Sequence, residues 1–155
     1  MRAEPDHRWA GRDSTGVLAS LHGRPLGRAR DEQERWHRWN AAFRCALGPE
    51  HPDTLDNRAN LARCTGLAGD PAAARDAYAA LLPIRERVSG PEHPDRLTDR
   101  ANLAACTGAA GDPAAARDAY AALLPIRERV LGPEHPDTLT ARANLAYWTR
   151  QADVR

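Results

Sequence analysis

Residues 69–95 read GDPAAARDAYAALLPIRERVSGPEHPD, and residues 111–137 read GDPAAARDAYAALLPIRERVLGPEHPD. The copies start forty-two residues apart and differ at one place, Ser89 against Leu131. A fixed period of this size is the mark of a stacked repeat, in which each unit buries its apolar face against its neighbours. The copied stretch carries its own punctuation. Gly69-Asp70-Pro71 and Gly111-Asp112-Pro113 each supply a helix N-cap followed by a first-position proline. Gly90 and Gly132 then end the helix, and the proline after each prevents its continuation.

The hexapeptide Gly-Pro-Glu-His-Pro-Asp occurs a third time at 48–53, so three linkers mark three helix starts at the same period. The helix after each linker carries Leu55, Ala59, Leu61 and Ala62, then Leu97, Ala101, Leu103 and Ala104, then Leu139, Ala143, Leu145 and Ala146. The second helix of each full repeat is expected at 71–88 and 113–130. Its apolar stripe is Ala74, Ala77, Tyr78, Leu81, Ile84 and Val88, with Ala116, Ala119, Tyr120, Leu123, Ile126 and Val130 as the second set. Pro83 and Pro125 fall inside these helices at a cost of about 3 kcal/mol each. Because the periodicity continues on both sides, a bend is expected there and not a break.

Upstream, Asp31 with Glu34 resembles a capping box, and Trp36, Trp39, Phe43 and Leu47 follow at helical spacing. A helix over 32–47 with a buried aromatic stripe is the expectation. Residues 1–30 lack a period and are expected to be poorly ordered or degenerate, apart from a short helix between Ser14 and Gly23 built on Val17, Leu18 and Leu21. The organisation is therefore a helix at 32–47, repeats at 48–89 and 90–131, a half repeat at 132–150 and a tail at 151–155.

All 22 basic residues are arginine, against 21 acidic residues. Without lysine there is no P-loop lysine and no Schiff-base amine. The near balance of charge argues against a nucleic-acid partner. No apolar run reaches the roughly 18 residues of a membrane span, and no secretory h-region is visible, so a cytoplasmic location is expected. The composition suggests a GC-rich bacterial coding sequence. Cys45, Cys64 and Cys106 form no C-x-x-C pair and are read as reduced thiols. His51, His93 and His135 are evenly spaced, but each sits in a different linker about 10 Å from the next, too far apart to share a zinc ion. Neither a metal nor a cofactor is expected.

Two helices per repeat, Asn-Leu-Ala in the first, Gly before the second, then Ala and Tyr four apart, resemble the tetratricopeptide repeat. The forty-two-residue length and the Gly-Pro-Glu-His-Pro-Asp linker resemble its kinesin-light-chain-like branch. The resemblance covers residues 31–150. It implies an all-α, right-handed α-solenoid of antiparallel helix pairs with about six main helices, whose first helices line a concave groove that binds a peptide or partner protein. It places Leu61, Ala62, Gly69, Ala74 and Tyr78 at packing positions, with Leu103, Ala104, Gly111, Ala116 and Tyr120 as their copies. Thr65, Thr107 and Thr149 depart from the family, which often has an aromatic there.

Asn60, Asn102 and Asn144 fall at one point of the three first helices. In similar repeats an asparagine here holds a bound peptide's backbone; a local hydrogen bond within the stack is the alternative use. One turn later come Arg63, Ala105 and Tyr147, and one turn earlier Asp56, Thr98 and Thr140. Arg63 could receive a carboxylate. The expected groove set is thus Asn60, Asn102, Asn144, Arg63, Asp56 and Tyr147, in a scaffold that is not an enzyme. The other reading is a spacer or oligomerisation element working through uncapped ends, with Trp36, Trp39 and Phe43 at one and Trp148 at the other, or a sensor fragment of a larger bacterial signalling NTPase system.

Overall fold

The computed structural model describes residues 26–154. Among them are six helices and no strand: α1 Leu26–Leu47, α2 Pro52–Leu67, α3 Pro71–Ser89, α4 Pro94–Ala109, α5 Pro113–Leu131 and α6 Pro136–Asp153. Each packs on the next in sequence, with lighter contact between α2 and α4 and between α4 and α6. This is the contact pattern of an α-solenoid, in which neighbours supply the surface that an isolated helix pair lacks. The expected short helix at 14–23 lies outside the described residues.

The repeat boundaries follow the punctuation. Asp70 and Asp112 accept from the backbone N–H of Ala73 and Ala115 at 2.9 and 3.0 Å, so each caps a helix opened by proline. Gly48, Gly90 and Gly132 have φ of 94°, 93° and 99°, a left-handed conformation that side chains disfavour. At the other helix starts, Nδ1 of His51, His93 and His135 accepts from the N–H of Asp53, Asp95 and Asp137 at 3.2, 3.3 and 3.2 Å. The evenly spaced histidines are therefore N-caps. Pro83 and Pro125 lie within continuous helices, as the periodicity requires.

The ends differ from the sequence expectation. α1 begins at Leu26, since nothing between Pro25 and Asp31 except Gly27 opposes a helix, and Asp31 lies within it. α6 continues to Asp153, through the first residues of the expected tail.

The core has two clusters. One joins Leu55, Ala62, Ala74, Tyr78 and Leu81 with Cys106; the other joins Leu97, Ala101, Ala104, Tyr120 and Leu123 with Ala141 and Trp148. Each buried leucine or aromatic contributes roughly 1.5–3 kcal/mol. The small residues let backbones approach. Gly108 is covered by the Trp148 ring so closely that a Cβ there would lie 2.5 Å from it. Trp148, expected at an outer surface, is instead 4% exposed, because the missing side chain at Gly108 leaves a seat for the indole.

Candidate peptide-binding face

The three asparagines share a face of α2, α4 and α6, but their surroundings differ. The Tyr78 hydroxyl donates to the Ala59 carbonyl at 3.0 Å and accepts from Asn102 Nδ2 at 3.2 Å. The next repeat duplicates this: Tyr120 donates to the Ala101 carbonyl at 2.8 Å and accepts from Asn144 at 3.1 Å. Each hydroxyl thus ties three successive helices together, and both asparagines are buried. Burial, followed by the nearby Asp99 carboxylate, pushes the Tyr78 hydroxyl well above the usual phenol range; burial does the same to Tyr120.

Asn60 stands apart. The residue forty-two before Tyr78 is Trp36, whose indole can donate but not accept. Asn60 has no tyrosine to bond and remains half-buried with its amide unengaged among the described residues. Arg63, one turn on, is also half-buried and makes no hydrogen bond or ion pair among the described residues. It borders an open depression of about 340 Å³, solvent-open mouth included, with Asn102, Ala105, Tyr78, Leu67 and Pro71. Tyr147 is 38% exposed and meets Trp148 edge to face at 4.8 Å between ring centroids.

Asp56, the last of the expected groove set, is paired with a buried arginine. Arg85 is 3% exposed and donates to Asp99 at 2.7 Å and Asp56 at 2.8 Å, with Asp95 at 3.8 Å. Burial works against the Arg85 charge, but Asp99 and Asp56 outweigh it and hold the guanidinium more firmly protonated than usual. Asp99 is the strained partner: burial, with Asp56 and Asp95 nearby, raises its carboxyl to about 6 despite Arg85.

In the next repeat the same position is Arg127, fully buried, while the counterparts of Asp56 and Asp99 are Thr98 and Ala141. Arg127 donates to the backbone carbonyls of Asp137 at 2.6 Å and Leu97 at 3.1 Å instead. Burial lowers its pKa, and the Asp137 charge offsets this only in part. One repeat earlier the position is Phe43, and Asn57, the counterpart of Asp99, has neither amide atom bonded among the described residues. Sequence reasoning missed these arginines. The signal was available, since Leu81, Arg85 and Val88 fall at i, i+4 and i+7, inside the apolar stripe.

Arg142 pairs with Glu128 at 2.9 Å. Thr65, Thr107 and Thr149, where the family often has an aromatic, bond back to the carbonyls of Leu61, Leu103 and Leu145 at 2.8–2.9 Å. Cys45 is exposed while Cys64 and Cys106 are buried, and burial pushes the Cys106 thiol up to about 11. Among the described residues no cluster of His, Cys, Asp or Glu could hold a metal ion, and no helix is long and apolar enough to cross a membrane.

The fold has known counterparts. Two crystal structures of a putative kinesin light chain with nearly identical TPR-like repeats, from Podosopora anserina, are similar to this chain at 24% identity. The first superposes with a TM-score of 0.72 over 85% of this chain and 61% of the other. The second, a form of that protein carrying one substitution, gives 0.68 over 89% and 68%. The chain therefore spans less than two thirds of the first of these proteins. No curated protein sequence matches it. A family model described as "Tetratricopeptide repeat" matches residues 67–129 and again 101–153, together more than half of the sequence. With six helices among the described residues and sequence copies at a forty-two-residue period, the chain belongs to the tetratricopeptide-repeat family.

Proposed function

We propose that the chain is a protein-interaction scaffold that holds a peptide or partner segment along the face formed by α2, α4 and α6. Tetratricopeptide repeats generally mediate protein–protein interaction. The observation that supports a site on this face is the pair Asn60 and Arg63, two half-buried polar side chains one turn apart, neither bonded within the described chain, beside the depression that reaches Asn102. An amide and a guanidinium left unpaired in a partly desolvated position are suited to a backbone amide and a carboxylate of an incoming chain. Tyr147 extends the face with an aromatic surface, and Asp56, held by Arg85, marks its other edge. Asn102 and Asn144 contribute mainly by fixing the helix spacing, with their remaining amide atoms toward the ligand.

Peptides selected from a displayed random library on the intact chain test this reading. Replacing Asn60 and Arg63 together by alanine is expected to weaken the selected peptides at least about tenfold, the worth of one charge-assisted hydrogen bond. The Arg117→Ala change on α5, outside this face, is expected to leave them unaffected. Selected peptides that bind the double variant as well as the parent would remove the face assignment.

A further inference from the structure

Among the described residues, the stack repeats one interface that α6 leaves unfilled. In α2 the residues that receive α3 are Leu55, Ala59 and Ala62, and in α4 those that receive α5 are Leu97, Ala101 and Ala104; all are buried or nearly so. Their counterparts on α6 are Leu139, 42% exposed, and Ala143 and Ala146, both exposed. The two internal interfaces define the matching surface: a helix presenting Ala74, Tyr78, Leu81 and Ile84, whose tyrosine hydroxyl bonds the middle alanine's carbonyl.

The described chain has one other helix at that repeat position with its corresponding face open. α1 aligns with α3 and α5 at the forty-two-residue offset, placing Trp36 at the tyrosine position, Trp39 at Leu81 and Ala42 at Ile84. Trp39 is 47% exposed where Leu81 is 1% exposed. Trp39 is stacked on Phe43 at 5.8 Å between ring centroids, so the exposed indole is held in place by its neighbour. Trp36 retains the one chemical property the interface uses at this position, a hydrogen-bond donor, and lacks the acceptor role that only a following asparagine would need.

We infer that the outer face of α6 docks α1 of a second copy, continuing the solenoid head to tail. Leu139, Ala143 and Ala146 form the seat, Trp39 fills it, and the Trp36 indole N–H donates to the Ala143 carbonyl, as Tyr78 and Tyr120 do to Ala59 and Ala101. The contact is heterologous: each copy offers a different surface at each end, so growth stays open and does not stop at a two-fold dimer. This inference is independent of the groove reading, because it uses neither Asn60 nor Arg63.

Sedimentation velocity on the full chain over a wide concentration range tests it. The weight-average mass is expected to rise past that of a dimer. Ala143→Arg and Trp39→Asp change exposed residues, so helicity by circular dichroism should hold while each abolishes the rise. The two variants mixed are expected to form a one-to-one dimer that goes no further, because each retains one intact end. A chain monomeric at all concentrations overturns the inference, as does a rise insensitive to either change. Loss with Ala143→Arg but not with Trp39→Asp would mean α6 against α6, which also overturns it. Register is checked separately through Cys45, the exposed thiol at the position where Arg87 and Arg129 pair with Glu50 and Glu92. In the head-to-tail stack Glu134 of the neighbouring copy lies beside it. Glu134→Cys with a short bismaleimide is expected to yield a ladder of cross-linked multimers; products confined to dimers would overturn the head-to-tail register.

Discussion

A buried guanidinium must find compensation within a few ångströms, and the kind of compensation decides what its removal does. Arg85 neutralises Asp99 and Asp56, so Arg85→Met would strand a carboxylate that is 4% exposed and is expected to destabilise by roughly 3 kcal/mol. Arg127 donates only to carbonyls, and Arg127→Met is expected to fall within about 1 kcal/mol of the parent or above it. Urea unfolding of the two variants side by side checks the contrast, which equal losses would contradict. Asp99 adds a pH signature. Its carboxyl is raised to about 6 when folded, so the native state binds a proton there more tightly than the unfolded chain does. That contribution is complete below about pH 4 and is lost as pH rises through 6. The parent is therefore expected to lose stability relative to Asp99→Asn between pH 4 and 7, by on the order of 2 kcal/mol, in urea midpoints taken at each pH. None of this was legible from residue type alone. The stripe position of Arg85 could be read, but its partners come from α2 and α4, and only stacking shows which carboxylates meet it.

Among the elements, α4 and α2 share a pattern that ends on a glycine, and their packing separates them. A Cβ at Gly66 would meet Ala74 at 3.3 Å and the Cys106 sulfur at 3.7 Å, contacts that small shifts relieve. At Gly108 it would strike the Trp148 ring. Gly66→Ala is expected to change stability by less than about 1 kcal/mol, helix propensity offsetting crowding. Gly108→Ala should cost about 1–3 kcal/mol. Trp148→Cys, which installs the residue found one repeat earlier, should make Gly108→Ala nearly neutral in a thermal-melt double-mutant cycle. Helix positions were readable to within a residue or two wherever proline and glycine flank them, as at α3 and α5. They were misjudged at α1 and α6, where the starting and ending signals are weak. The histidine caps went unread for a different reason. Histidine is not among the side chains usually expected at an N-cap, and its lone pair does the capping only because the following proline fixes the turn.

For the whole molecule, stability is a sum of helix pairs and the interfaces between neighbours, so protection should follow position in the stack. At concentrations where the chain is monomeric, amide exchange is expected to be slowest in the inner helices α2 to α5, which are packed on both sides, and fastest in α1 and the last turns of α6. Uniform protection would contradict this picture. The architecture was legible because one copied stretch specifies helix, cap and linker together. The candidate face was less so: Asn60, Asn102 and Asn144 look equivalent in the sequence, and only the replacement of a tyrosine by Trp36 frees the first of them. The linkers have a further effect. α3 and α5 are the same helix apart from their last residue, so a folding chain could in principle assemble either one against α2. Only three residues, Ala68 to Asp70, separate α2 from α3, too short a tether for α2 to reach past its neighbour. Reading order along the chain, enforced by tether length, thus resolves an ambiguity that the helix sequences leave open. Lengthening the Ala68–Asp70 segment would be the most direct way to turn this protein into one that misassembles.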